Sequence, residues 1–182
     1  MIIHKKSSTD LSISKKYLPK YDYTESYGVC FKSSQKIDSK KIFSAFFSTT
    51  PFWIVALMYV RNRLLKPFDL TSLKIDDPRK IAKNFDFKNR KKFANFFEIY
   101  HTDKNKIVFG AQDKHLDFCM SLEYTKDKNS QTIIFSNLIY FRNIFGKIYF
   151  YSSIFLHTQV VKSMLKATAC EILATKKTNI ST

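Results

Sequence analysis

From Lys114 to Tyr124 the chain alternates apolar and polar residues one for one. Leu116, Phe118, Met120, Leu122 and Tyr124 fall on one face, and His115, Asp117, Cys119, Ser121 and Glu123 on the other. A period of two is that of a strand buried on one side. Phe93 to His101, Lys106 to Gln112 and Gln131 to Phe141 read as strands too, separated by Thr102-Asp-Lys-Asn and Lys126-Asp-Lys-Asn-Ser, which are turns by composition. Strands joined by short polar turns predict an antiparallel meander. An earlier strand is predicted within Tyr21 to Phe31, dense in β-formers despite Gly28.

Elsewhere the period lengthens to that of a helix. Asp38 is a suitable N-cap for a helix over Lys40 to Ser48. Thr50 and Pro51 then restart a second helix, running to about Leu65 and stopping before Pro67. Its apolar residues, Trp53, Leu57, Val60 and Leu64 beside Ile54, Met58 and Leu65, recur at three- and four-residue spacing. Residues 68–91 predict a loop with one irregular strand or helix. From Phe145 to Leu173 a long helix is predicted, with Ile154, Val161, Met164, Leu165, Thr168 and Ile172 along one side. Residues 1–17, rich in Ser and Lys, are expected to be a flexible segment, 18–175 a single domain and 176–182 a flexible tail. Segregated helices and strands make the class α+β. The last helix is expected to lie on the concave face of the meander, and the polar face of the Lys114–Tyr124 strand to meet solvent.

Composition sharpens this. The chain has 182 residues, enough for one domain with a substantial core. Aromatics make up 16% of it, 18 Phe and 10 Tyr among them, so the core or a cavity within it is built from rings. Three cysteines, Cys30, Cys119 and Cys170, are odd in number and widely spaced. They imply neither a disulfide framework nor a zinc site, and point to a reducing compartment. No apolar stretch follows the first residues, and the longest apolar run, Phe52 to Met58 extended by Tyr59 and Val60, falls far short of the ~20 residues of a membrane span. A cytoplasmic location is expected. The net charge is +16, but it is scattered in small knots with no nucleic-acid module around them. It is therefore expected to serve solubility and non-specific contacts rather than a specific nucleic-acid partner.

Four segments carry a resemblance: Leu18-Pro-Lys-Tyr-Asp-Tyr-Thr-Glu-Ser-Tyr; the stretch from Phe46-Phe through Pro51-Phe-Trp to Arg61-Asn-Arg; Asp113-Lys-His-Leu-Asp-Phe; and Asn143-Ile-Phe-Gly-Lys-Ile-Tyr followed by Phe155-Leu-His157 and Met164-Leu165. In this order they resemble the bacterial domain-of-unknown-function family 2867, whose members are similar to the polyketide-cyclase/START (SRPBCC) superfamily. The resemblance spans about Leu18 to Thr168 and implies a helix-grip fold, a curved antiparallel sheet wrapped around a long carboxy-terminal helix. Two positions depart from the family pattern. Phe-Leu-His stands where Pro-Phe-His is usual, and Cys119 stands where an Arg usually follows His-Leu-Asp-Phe.

The candidate chemistry is sparse. With only Gly28, Gly110 and Gly146, no phosphate-binding glycine loop can be written. No hydrolase elbow or zinc-protease motif is present, and neither a cofactor nor a metal is expected. His115, Asp117 and Cys119 alternate on one strand face and could seat a metal or hold an acid–base pair, or they could simply be its polar side, unless a bulge near Gly110 re-aims His115 and Asp117. His157 sits in an apolar helical stretch, as a core histidine or a cavity residue. Arg61 and Arg63 could meet an anionic group or reach for water. A helix laid over a curved sheet is hard to pack solidly, and a cavity there would be lined by Trp53, Arg61, Phe118, Met120, Phe135, Tyr149, Phe155 and His157. The leading expectation is a module binding a small hydrophobic molecule. The alternatives are a cyclase- or hydrolase-like enzyme using His115, Asp117 or His157, and a basic interaction module for anionic surfaces.

Overall fold

The protein is described by a computed structural model that covers residues 2–5, 10–33, 37–65, 79, 82, 85, 87, 92–93, 97–127 and 130–178. Along the chain these form β1 (Ile2–Lys5), α1 (Ser12–Tyr17), β2 (Tyr23–Phe31), α2 (Ser39–Ser48), α3 (Phe52–Leu65), β3 (Lys92–Phe93), β4 (Phe97–Thr102), β5 (Lys106–Gln112), β6 (Leu116–Lys126), β7 (Gln131–Phe141) and α4 (Ile144–Thr178). The strands make one seven-stranded antiparallel sheet in the order β1-β2-β7-β6-β5-β4-β3. The predicted meander is its right-hand run. The first long strand, β2, joins it by pairing with the last, from Tyr23 opposite Ile139 to Phe31 opposite Gln131. Helices α2, α3 and α4 gather on the concave face with α4 laid across it, the helix-grip arrangement.

Local chemistry explains the helix starts. The Asp38 carboxylate accepts from the Lys41 amide at 2.7 Å, capping α2 as expected. Thr50 acts differently from the expected cap of α3. Its hydroxyl donates to the Phe47 carbonyl at 2.7 Å, closing the end of α2 instead. The Pro51 carbonyl accepts from Ile54 and Val55 to open α3. The concave core joins Val161, Met164, Leu165, Ala169 and Ile172 of α4 to Val29, Phe31, Leu122, Ile133 and Phe135 of the sheet. Beside it lies an aromatic cluster in which Phe43 touches Phe47, Phe85, Phe87, Phe93 and Phe109, with ring centroids 4.8–6.0 Å apart. Within 68–91, Arg79 and Ala82 are helical and Phe85 and Phe87 join this cluster; the remaining residues of that stretch, and 179–182, lie outside the described residues.

The other face of the sheet corrects one expectation. The polar side of β6 does not meet solvent: Asp117, Cys119 and Ser121 are buried. What lies against this side of β6 is α1 with the Leu18 that follows it. Ile2–Lys5 adds an edge strand to β2, and α1 lies on the convex face. There Leu18 packs with Val108, Cys119 and Leu138, and the Tyr17 ring stacks on Tyr100 at 5.0 Å. Gly110 makes room for this. A Cβ there would stand 2.2 Å from the Phe118 carbonyl oxygen and 2.9 Å from the Tyr100 ring. The irregularity expected near Gly110 lies on the partner strand, where the β4–β5 register shifts between Ile99 and His101 and so carries Tyr100. The covered face also holds Lys106, whose ammonium lies 3.0 Å from the Glu123 carboxylate and donates to the Asp10 carbonyl at 2.6 Å.

Candidate functional site: a cavity under the carboxy-terminal helix

On β6 the concave residues Leu116, Phe118 and Met120 are only half-buried, although they belong to the apolar face. They are left partly uncovered because they line a cavity of about 540 Å³ between the sheet, α2, α3 and α4. The helical period selects its walls. On α4 these are Tyr149 and Phe150, Ser152 and Ser153, Leu156 and His157, Val160 and Val161, and Met164, recurring every three to four residues. On α3 they are Ile54, Leu57, Met58, Val60 and Arg61. Phe46, Phe47 and Thr50 close one side, and Phe118, Met120, Phe135, Asn137 and Ile139 form the floor.

Of the residues expected to bind a ligand, Arg61, Phe118, Met120, Phe135, Tyr149 and His157 line this chamber. Trp53 and Phe155 do not. Trp53, in the first turn of α3, is 44% exposed, and Phe155 lies on the outer side of α4, 72% exposed, because it falls out of phase with the cavity-facing stripe of that helix. Arg61 donates from Nε to the Tyr149 hydroxyl at 2.5 Å, joining α3 to α4 across one wall. Among the remaining polar walls, Ser152 and Ser153 donate to the Tyr149 carbonyl at 2.8 and 3.0 Å, so their hydroxyls serve their own helix.

His115 and Asp117 are not in the cavity and do not form an acid–base pair. Asp117 faces the convex side, 2.7 Å from the Arg142 guanidinium. His115 belongs to the β6–α4 junction. Its Nδ1 lies 3.3 Å from Asn143 Oδ1, the atom that also accepts from the Gly146 amide at 3.1 Å, while Asn143 Nδ2 donates to the Lys114 carbonyl at 3.0 Å. Gly146 is required there, since a Cβ would stand 2.1 Å from the His115 carbonyl oxygen. The Asp-x-His-Leu-Asp-Phe and Asn-x-x-Gly segments are thus two halves of one clamp that seats the start of α4. Cys119 is equally remote from any chemistry. Burial pushes its thiol up to about 12, and its Sγ contacts the Ser14 carbonyl at 3.6 Å.

The residue that sequence reasoning missed is Glu25. It lies on the concave face of β2, with its side chain fully enclosed and Oε1 2.8 Å from His157 Nδ1. Its Oε2 accepts from the Tyr23 hydroxyl at 3.3 Å. Burial pushes its carboxyl up, but His157 and the Tyr23 and Tyr27 hydroxyls outweigh this and hold it below the ordinary glutamate value. The signal was present: Tyr23, Glu25, Tyr27, Val29 and Phe31 share one strand face, and a carboxylate in an apolar row needs a buried partner.

Among the described residues no group of His, Cys, Asp and Glu is arranged to hold a metal ion. No described helix is by itself long and apolar enough to cross a membrane; α2 with the first part of α3 passes only as a pair bent by 72°. The family model for proteins of unknown function, DUF2867, matches residues 17–164. No curated protein matches the sequence. Among solved structures, norcoclaurine synthase from Thalictrum flavum aligns over 95% of this chain and 98% of its own, at 11% identity and a TM-score of 0.39.

Proposed function

The chain belongs to the DUF2867 family of proteins of unknown function, and from the chamber beneath its last helix we propose that it binds a small, largely apolar molecule between the sheet and α4. The observation that carries this reading is the cavity itself. At about 540 Å³ it falls within the range of small-molecule sites, roughly 300–1,000 Å³, and its walls are apolar with a few convergent polar groups. An interior is ordinarily packed to the density of an organic crystal, so a chamber of this size is space kept for a guest. Native mass spectrometry of the protein purified from its own host tests this directly. A small-molecule adduct lost on denaturation is expected, and Met120→Trp, which fills the floor, should abolish it while preserving cooperative unfolding. Protein of bare chain mass that also takes up no apolar fluorescent probe would overturn the reading.

A second reading is favoured by the surface around the chamber. Phe52, Tyr59 and Val60 of α3 and Phe145, Ile148, Tyr151, Phe155 and Leu156 of α4 are exposed. Neither Phe52–Leu65 nor Ile144–Cys170 contains a single Asp or Glu, whereas Arg61, Arg63, Lys147, Lys162 and Lys166 lie within them. Aromatic and aliphatic side chains among cations suit an anionic lipid surface, from which an apolar guest would be taken up.

A further inference from the structure

Glu25 and His157 come from opposite ends of the chain and meet over the cavity. The Glu25 residue is 2% exposed. A carboxylate enclosed in that way is costly unless it is paired. Glu25 Oε1 and His157 Nδ1 stand 2.8 Å apart as an ion-pair contact, and neither atom makes a hydrogen bond to any other group among the described residues. With a hydrogen on Nδ1 facing the carboxylate, the neutral ring carries its lone pair on Nε2. That nitrogen belongs to a ring lining the cavity. A second acceptor stands near by. Asn137, directly opposite Glu25 in the β2–β7 register, is 2% exposed, lines the same chamber, and has its Oδ1 unpartnered among the described residues.

We propose that the Glu25–His157 pair is the polar anchor of the cavity and selects an apolar guest that carries a hydroxyl, an alcohol, phenol or enol, bound at His157 Nε2, with Glu25 as the positioning residue that sets the tautomer. The chemistry singles out this end group. A hydroxyl donates to Nε2 of the neutral ring and accepts from it when the ring is charged, and it can donate to an amide oxygen such as that of Asn137. An ether or ketone only accepts, and would make no hydrogen bond to either protein acceptor. Sites built to bond a hydroxyl reject analogues without one far more strongly than apolar pockets reject a change of size. The inference rests on the binding reading above.

A matched pair of probes tests it: 2-naphthol and 2-methoxynaphthalene, titrated by calorimetry against the full chain. The wild type is expected to bind the naphthol at least about tenfold more tightly, although the ether is the more apolar of the two. His157→Phe alone would leave the Glu25 charge stranded and could unfold the protein. The informative variant is therefore Glu25→Leu with His157→Phe, which replaces the pair by apolar groups. It should keep cooperative unfolding, bind both probes and lose the preference. In nitrogen-15 spectra His157 should carry its hydrogen on Nδ1, and Glu25→Gln should relax this toward the Nε2–H form ordinarily favoured by neutral histidine. Equal binding of the two probes by the wild type, a preference surviving in the double variant, or an Nε2–H ring in the wild type would each overturn the anchor and leave the cavity reading standing. Binding of neither probe would overturn the cavity reading and the anchor with it.

Discussion

Glu25 has a folded-state pKa held below the 4.5 of an unperturbed glutamate, and this fixes the sign of its effect on stability. A depressed carboxyl contributes stability that is fully present above the unfolded value and is lost as the pH falls through the folded one. Thermal unfolding of the wild type and Glu25→Gln should therefore differ most near neutral pH, with the variant less stable, and converge as the pH drops below 4.5. A difference that held constant, or widened, in acid would show that the carboxylate is not stabilised by His157 and the tyrosines. Period-two alternation places Glu25 among Tyr23, Tyr27, Val29 and Phe31 in the sequence. Its partner is 132 positions away and no local pattern names it, because a charge-pair contact across a fold leaves no period in the chain.

At the scale of elements, the extent of β5–β7 and α4 was legible from alternation and helical spacing, and the capping of α2 from Asp38. The destination of α1 was not. Ser12–Tyr17 is a short, polar-looking helix with one buried serine, and its contribution lies in what it covers. Removing residues 1–17 should uncover Val108, Cys119 and Leu138 and free Lys106 from the Asp10 carbonyl. Exposing an apolar patch of this kind costs roughly 25 cal/mol for each Å² returned to water. The truncated chain is expected to melt several degrees lower. Cys119, whose thiol burial pushes up to about 12, should become open to iodoacetamide, which in the intact protein labels the exposed Cys170. Peptide mass spectrometry after alkylation reads this, and an unreactive Cys119 in the truncated chain would mean that α1 is not its cover.

For the whole molecule, a charge of +16 acts through long-range attraction that salt screens. The protein is expected to co-sediment with vesicles containing phosphatidylserine and not with neutral phosphatidylcholine vesicles. Phe145→Ser with Ile148→Ser should weaken this severalfold, by removing apolar contacts that salt does not screen. Duplex DNA should be bound without sequence preference and released between about 50 and 200 mM salt. Tight, sequence-selective DNA binding at the upper salt concentration would overturn this account of the charge. By itself the sequence determined the class, the order of strands and long helices from Tyr23 onward and the apolar face of the meander, because side-chain period is a local property set by backbone geometry. Its ordered segments also resembled the family whose model matches residues 17–164. Only the tertiary structure decided that α1 buries the polar side of β6, that His115 and Asp117 hold the β6–α4 junction together, and that His157 meets Glu25 above an apolar chamber. Those outcomes depend on which distant surfaces meet when the sheet curves around α4, and a chain read one residue after another does not contain that curvature.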